Sequence, residues 1–203
     1  MSIYDLTTLT VRVATQGKAL PAIQEHLPAL GGELLGVWNA DIGALNEILI
    51  FRRFDDANAL MAARAKLLAA PNPLGCAEWL EKLDTGSYAR FPWLPEVETG
   101  ARGPVYELRT YGIKYGALGL TIDAWEKAMP ARGALSPLVG AFYALDGESP
   151  RFLNIWPYAS VDERSRIRAE AVATGVWPPV GGPANLTHMK STIGIPAAFS
   201  PLR

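Results

Sequence analysis

Ile3-Tyr4-Asp5-Leu6 and Val105-Tyr106-Glu107-Leu108 carry one pattern twice: an apolar residue, a tyrosine, an acid and a leucine, matched without a gap. In the same register Val11-Arg12 meets Ile113-Lys114, Ile23 meets Trp125, and Leu27-Pro28 meets Met129-Pro130. Past that proline the second copy gains two residues. Leu35-Gly36 then falls on Val139-Gly140, Trp38 on Phe142, Gly43 on Gly147, Phe54 on Tyr158, and Phe91-Pro92 on Ile195-Pro196. A single register shift across so many apolar, glycine and proline positions indicates a duplicated module, and a repeat governs every later reading of the fold.

The second copy shows what the module is. Val105 to Tyr115 alternates with the period of two that a strand requires. Leu118, Ile122, Trp125 and Met129 then recur on one helical face, and Pro130 and Gly133 predict the helix end. Leu138–Leu145 and Phe152–Pro157 flank Asp146-Gly147-Glu148-Ser149-Pro150, whose turn residues predict a hairpin. Ser160-Val161-Asp162-Glu163 has the spacing of a capping box and starts a second helix. After Trp177-Pro178-Pro179 a last strand runs near Leu186–Ile195. The first copy repeats these features, with Pro28 closing its first helix and Asp55-Asp56 opening its second. The order βαββαβ, twice, is that of a ferredoxin-like unit with both helices on one face of its sheet. The expected fold is α+β: two such modules in tandem, residues 1–98 and 104–203, packed sheet to sheet as an intrachain dimeric α/β barrel.

Composition narrows the function classes. Among 203 residues, 49% are hydrophobic and 19% charged, enough for a core and too little polarity for disorder. The 19 basic and 20 acidic side chains are interspersed, so no footprint for nucleic acid exists. No apolar run approaches the ~20 residues of a membrane helix, and Met1-Ser2 leads directly into alternating sequence, so a cytoplasmic protein is expected. The lone Cys76 excludes an internal disulfide and reads as a small buried apolar thiol. Homo-oligomerisation is expected from the antiparallel architecture.

The residues with chemistry concentrate in the second copy. Glu107, Arg109 and Tyr111 share one face of its first strand. In the hairpin, alternation separates Leu153 and Ile155, expected to face the helices, from Phe152, Asn154 and Trp156 on the opposite, open face. Glu107, Arg109, Tyr111, Asn154 and Trp156 thus form a candidate site for a small planar or carboxylate-bearing organic ligand, since arginine binds carboxylates through two parallel bonds and aromatic rings supply stacking area. The competing reading is an ion pair, Glu107 with Arg109, that ties the modules together. His188, in the last strand, is a candidate base or a hydrogen-bonded sheet histidine; with His26 as the only other histidine, no multi-histidine metal site is read. No cofactor is read, haem through His188 being the one alternative. Arg164, Arg166 and Arg168, mixed with Asp162, Glu163 and Glu170, read as a solvated helix face. Trp177 to Pro179 is either a rigid crossing or a lid.

Val105-Tyr106-Glu107-Leu108-Arg109-Thr110-Tyr111, the Trp125 helix, Asn154-Ile155-Trp156-Pro157-Tyr158 leading into Asp162-Glu163-Arg164, and Phe199-Ser200-Pro201-Leu202 together resemble the NIPSNAP family of the dimeric α/β-barrel superfamily. The resemblance is good over residues 104–203 and weaker over 3–98, where Thr7 replaces Arg109 and Arg52 replaces Trp156. It implies the fold, and a family without a settled activity. Superfamily relatives include cofactor-free monooxygenases, muconolactone isomerases and haem-binding enzymes, which use the cavity between sheet and helices. Two functions are therefore expected: a small-molecule-binding or assembly protein, or a cofactor-independent monooxygenase or isomerase acting on a small aromatic or carboxylate substrate.

Overall fold

The structure, a computed structural model, describes residues 2–203. Its first half consists of β1 (Ile3–Val11), α1 (Gln16–His26), β2 (Glu33–Ile42), β3 (Glu47–Phe54), α2 (Ala57–Ala69) and β4 (Leu80–Arg90). The second consists of β5 (Val105–Ile113), α3 (Leu118–Leu135), β6 (Gly140–Ala144), β7 (Arg151–Tyr158), α4 (Val161–Ala173) and β8 (Leu186–Pro196). Both halves run βαββαβ, as the periodicity predicts. Each sheet is antiparallel, in the orders β4-β1-β3-β2 and β8-β5-β7-β6, and β2 pairs with β8 while β4 pairs with β6. The eight strands close into one barrel, which leaves no unpaired sheet edge.

The inner faces of the two sheets supply the barrel core. Tyr4 and Phe51 pack on Phe142 with ring centroids 4.7 and 5.1 Å away, and Trp38 packs on Tyr106 at 5.3 Å. These are the positions that the repeat aligns, Tyr4 with Tyr106 and Trp38 with Phe142. Each aromatic of the second pair folds its ring over a glycine two residues earlier in its strand, Gly36 or Gly140, where a Cβ would collide with the ring. That close approach explains why the Gly-x-aromatic spacing occurs in both copies. The C-terminus finishes the closed end: the Ser200 hydroxyl accepts from Val37 N at 2.9 Å, and Leu202 N donates to Leu35 O, so the second half's tail is stitched to β2.

Two expectations need correction. Leu153 and Ile155 belong to the barrel interior with Leu108 and Tyr106, whereas Phe152 and Trp156 pack with Trp125 of α3 and Ile167 of α4. The alternation is as read, but its hand is reversed. Strand β7 is buried on both faces, so alternation shows which residues share a side without marking which side the helices cover. The second correction is that α3 continues through Pro130 to Leu135. Proline removes one intrahelical bond, yet Trp125 before it and Arg132 after it are both buried against the sheet, and that packing overrides the local penalty. The caps are as read: the Ser160 hydroxyl accepts from Glu163 N at 3.0 Å, and the Asp56 carboxylate from Ala59 N at 2.9 Å. Cys76 is fully buried, and burial raises its pKa to about 11.

Replacing Gly140 with alanine drives a methyl into the Phe142 ring, on which Tyr4 and Phe51 pack. The expected loss is about 1–3 kcal/mol in denaturant unfolding. An unchanged midpoint would show that the ring over the glycine does not organise the core.

Candidate functional site

On the helix-covered side of β5, the Glu107 carboxylate is completely buried. Its Oε1 accepts from Arg109 Nη1 at 2.5 Å, Arg164 Nη2 at 2.5 Å and the Ser191 hydroxyl at 2.7 Å, while Arg168 Nη1 stands 3.7 Å from Oε2. Burial alone would raise the Glu107 pKa. The hydrogen bond from Arg164, the charge of Arg109, the Ser191 hydroxyl and Arg168 outweigh it and bring the pKa down to about 2. Arg109 also donates through Nε to the Tyr111 hydroxyl and lies over that ring, 5.1 Å from its centroid. Burial works to lower the Arg109 pKa, but the neighbouring Tyr111 and Glu107 raise it, so the guanidinium stays charged. Tyr111 is pushed upward by burial, against the pull of Arg109, and remains a neutral phenol.

Asn154 and Trp156 are the floor beneath this group. Asn154 Nδ2 donates to Arg109 O at 3.2 Å, and its Oδ1 accepts from Trp156 Nε1 at 2.7 Å. The amide thereby fixes both the Arg109 backbone and the indole. Five of the six residues singled out from the sequence are gathered as expected, on a common face. That face looks at α3 and α4 and not into the barrel.

A cavity of about 360 Å³ opens beside them. Arg109, Tyr111 and Arg168 line it from β5 and α4, with Thr121 and Trp125 of α3, Val172 of α4, and Trp177, Pro178 and Pro179 of the segment that follows α4. Trp125 and Trp177 meet edge to face at 4.7 Å, and Phe152 stands edge-on to both Trp125 and Tyr111. The Trp177 to Pro179 tract thus forms part of the cavity wall. The sixth residue, His188, is exposed at the rim, where Thr187 Oγ1 is 3.2 Å and Glu148 Oε1 3.6 Å from its ring nitrogens. It touches both this cavity and the polar end of the barrel, which Thr8, Thr110 and Thr192 line.

The arginines of α4 were read from sequence as solvated, and only Arg166 behaves so, pairing with Glu170 at 3.2 Å. Arg164 and Arg168 turn inward to Glu107 because a buried carboxylate must be compensated. Arg132 is the other residue that the sequence did not disclose. It is 2% exposed, with its guanidinium 4.3 Å from the Trp156 ring centroid. The repeat register carried a signal for one of these, since it sets Arg64 of α2 beneath Arg168. Arg64 indeed binds the buried Asp5, at 2.9 Å, as Arg168 approaches Glu107.

The NIPSNAP family model matches residues 4–83 and 106–201. The chain belongs to the NIPSNAP family. A NipSnap homolog of Dictyostelium discoideum is 29% identical over 208 residues, spanning 96% of this chain and 87% of the relative. Human NipSnap homolog 3B is 29% identical over 223 residues, spanning 100% and 86%. Among solved structures an anthrone oxidase-like protein superposes with a TM-score of 0.68 at 13% identity, covering 98% of this chain and 93% of its own, a likeness of fold alone. Both matched segments of this NIPSNAP chain hold a buried acid on their first strand, Asp5 and Glu107.

The low Glu107 pKa has a consequence for acid stability. Its folded value of about 2 lies below the ~4.3 of a free glutamate. The stabilisation is complete above about pH 4.3 and is lost as pH falls toward 2. Glu107→Gln leaves three guanidiniums uncompensated and is expected to cost about 3–5 kcal/mol at pH 7. Urea unfolding at pH 7, 4 and 2.5 checks this: the gap between wild type and variant should narrow with acidification, and a pH-independent gap would contradict the assignment.

Proposed function

We propose that this protein binds a small organic acid with a flat apolar body in the cavity between β5, α3 and α4. The observation that carries the reading is the charge balance of this layer. One buried carboxylate, Glu107, faces Arg109, Arg164 and Arg168, a surplus of positive charge beside the cavity. Arg109 Nη1 and Nε are committed to Glu107 and Tyr111, which leaves Nη2 for a ligand, and Arg168 holds Glu107 only loosely at 3.7 Å. A carboxylate bridging the two arginines would be met by charge-assisted bonds. The rest of the wall, Trp125, Trp177, Pro178, Pro179 and Val172, suits a planar hydrocarbon body.

Catalysis of the monooxygenase or isomerase kind needs a proton acceptor against the bound body. His188 is the wall residue with that chemistry, and it sits exposed at the rim. Tyr111 is held neutral. Binding therefore stands ahead of turnover as the reading of this site.

Calorimetric titration with benzoate, phenylacetate and cinnamate, each beside its primary amide, tests the proposal. The acids should bind and the amides should not. Arg168→Gln and Arg109→Met, each confirmed folded by its melting curve, should raise Kd by about 10- to 100-fold, the value of a charge-assisted hydrogen bond of about 1.5–3 kcal/mol. Equal binding of acids and amides, or no binding of any of them, would sink the reading.

A further inference from the structure

Arg132 is a buried cation without an anion. Among the described residues no carboxylate forms an ion pair with it and its Nη1 has no hydrogen-bond partner; Glu107 is already engaged by Arg109, Arg164 and Arg168. The faces of Trp156 at 4.3 Å and Trp177 at 5.9 Å offset part of the cost of taking a guanidinium out of water, but they cannot accept its hydrogen bonds along the lone-pair directions a carboxylate offers. Burial lowers its pKa, against the raising effect of the neighbouring Tyr158 hydroxyl, a neutral group that brings no counter-charge.

Trp177 has a second role: it lines the ligand cavity, so its indole is the partition between that cavity and Arg132. This tryptophan is only half-buried and lies between α4 and β8, on a segment tied back by Trp177 N to Ala171 O. Its displacement would extend that cavity toward Arg132 without moving a helix or a strand. Along the sheet, Arg132 stacks on Trp156, which pairs with Glu107, and Arg109 lies two residues further along β5. The two cations are thus offset by about 7 Å along the strand direction.

We propose that Arg132 is a second anion subsite behind Trp177, and that the ligand is an apolar dicarboxylic acid with one carboxylate at Arg109 and Arg168 and the other at Arg132. This rests on the binding reading above and extends it from an organic acid to a diacid. Trp177 then serves as the movable wall that shuts the inner subsite in the free protein.

The test is calorimetry on wild type with α,ω-dicarboxylates from succinate to azelate and with terephthalate, each beside its half-amide. One diacid of matching length should bind at least about tenfold more tightly than its half-amide. In Arg132→Met that advantage should vanish while the half-amide binds as in wild type. Because Arg132→Met removes a core guanidinium and can fail to fold, side-chain NMR of arginine Nε–Hε groups in the wild-type protein provides a second readout: the Arg132 resonance should shift with the diacid and not with the half-amide. Half-amides that bind through Arg109, with no diacid advantage and no Arg132 shift, would overturn this proposal alone. If neither form binds, the cavity reading falls and this inference with it.

Discussion

The burial of the Glu107 carboxylate is the constraint from which the second half of the molecule takes its form. A carboxylate removed from water between a sheet and two helices must be met by opposite charge. Here it is met from three directions: along its own strand by Arg109, from α4 by Arg164 and Arg168, and from the neighbouring β8 by the Ser191 hydroxyl. Those bonds dock α4 on the sheet and hold Arg109 beside Tyr111. With Arg109 fixed there and α3 held off by Trp125 and Trp156, the space between becomes a cavity rather than a packed interface.

The first half obeys the same constraint with a different outcome. Asp5 is buried at the equivalent position and is met by Arg52 at 3.0 Å and Arg64 at 2.9 Å, and the Thr7 hydroxyl donates to it at 2.7 Å. Arg64 spends its other nitrogen on Asp146 of the β6–β7 turn at 2.8 Å, so two acids balance two arginines. Where the second half has Arg109 and Trp156, the first has Thr7 and Arg52. Those two exchanges move one arginine from β3 to β5 and leave the charge unchanged; the surplus comes from Arg164, where the first half has Leu60, and from Asp146, which balances the first network alone. The buried acid and its helix arginine therefore belong to the fold; the charge surplus belongs to the second half alone.

Much of this was legible in the sequence because it is local or periodic. Periodicity and turn residues disclose the βαββαβ order, register pairs the glycine and aromatic of β2 and β6, and the Ser-x-x-Glu spacing marks the capping serine of α4. Grouping Glu107, Arg109, Tyr111, Asn154 and Trp156 needed only the alternation of two strands. What escaped depends on contacts distant in sequence. Leu153 and Trp156 are equally apolar and equally buried, so the hand of β7 could not be read from polarity. Arg164 and Arg168, spaced among acids, resemble a solvated face until Glu107 is seen beneath them. Pro130 reads as a helix end, since the packing of Arg132 that carries α3 past it involves a strand and a loop from elsewhere.

The central claim is that an organic carboxylate completes the charge balance that Glu107 leaves open. A crystal structure of the protein grown with cinnamate tests it most directly. The account predicts the carboxylate about 2.7–2.9 Å from nitrogens of Arg109 and Arg168, with the ring between Trp125 and Trp177. Cinnamate in the threonine-lined end of the barrel, or an empty cavity at saturating concentration, would contradict it.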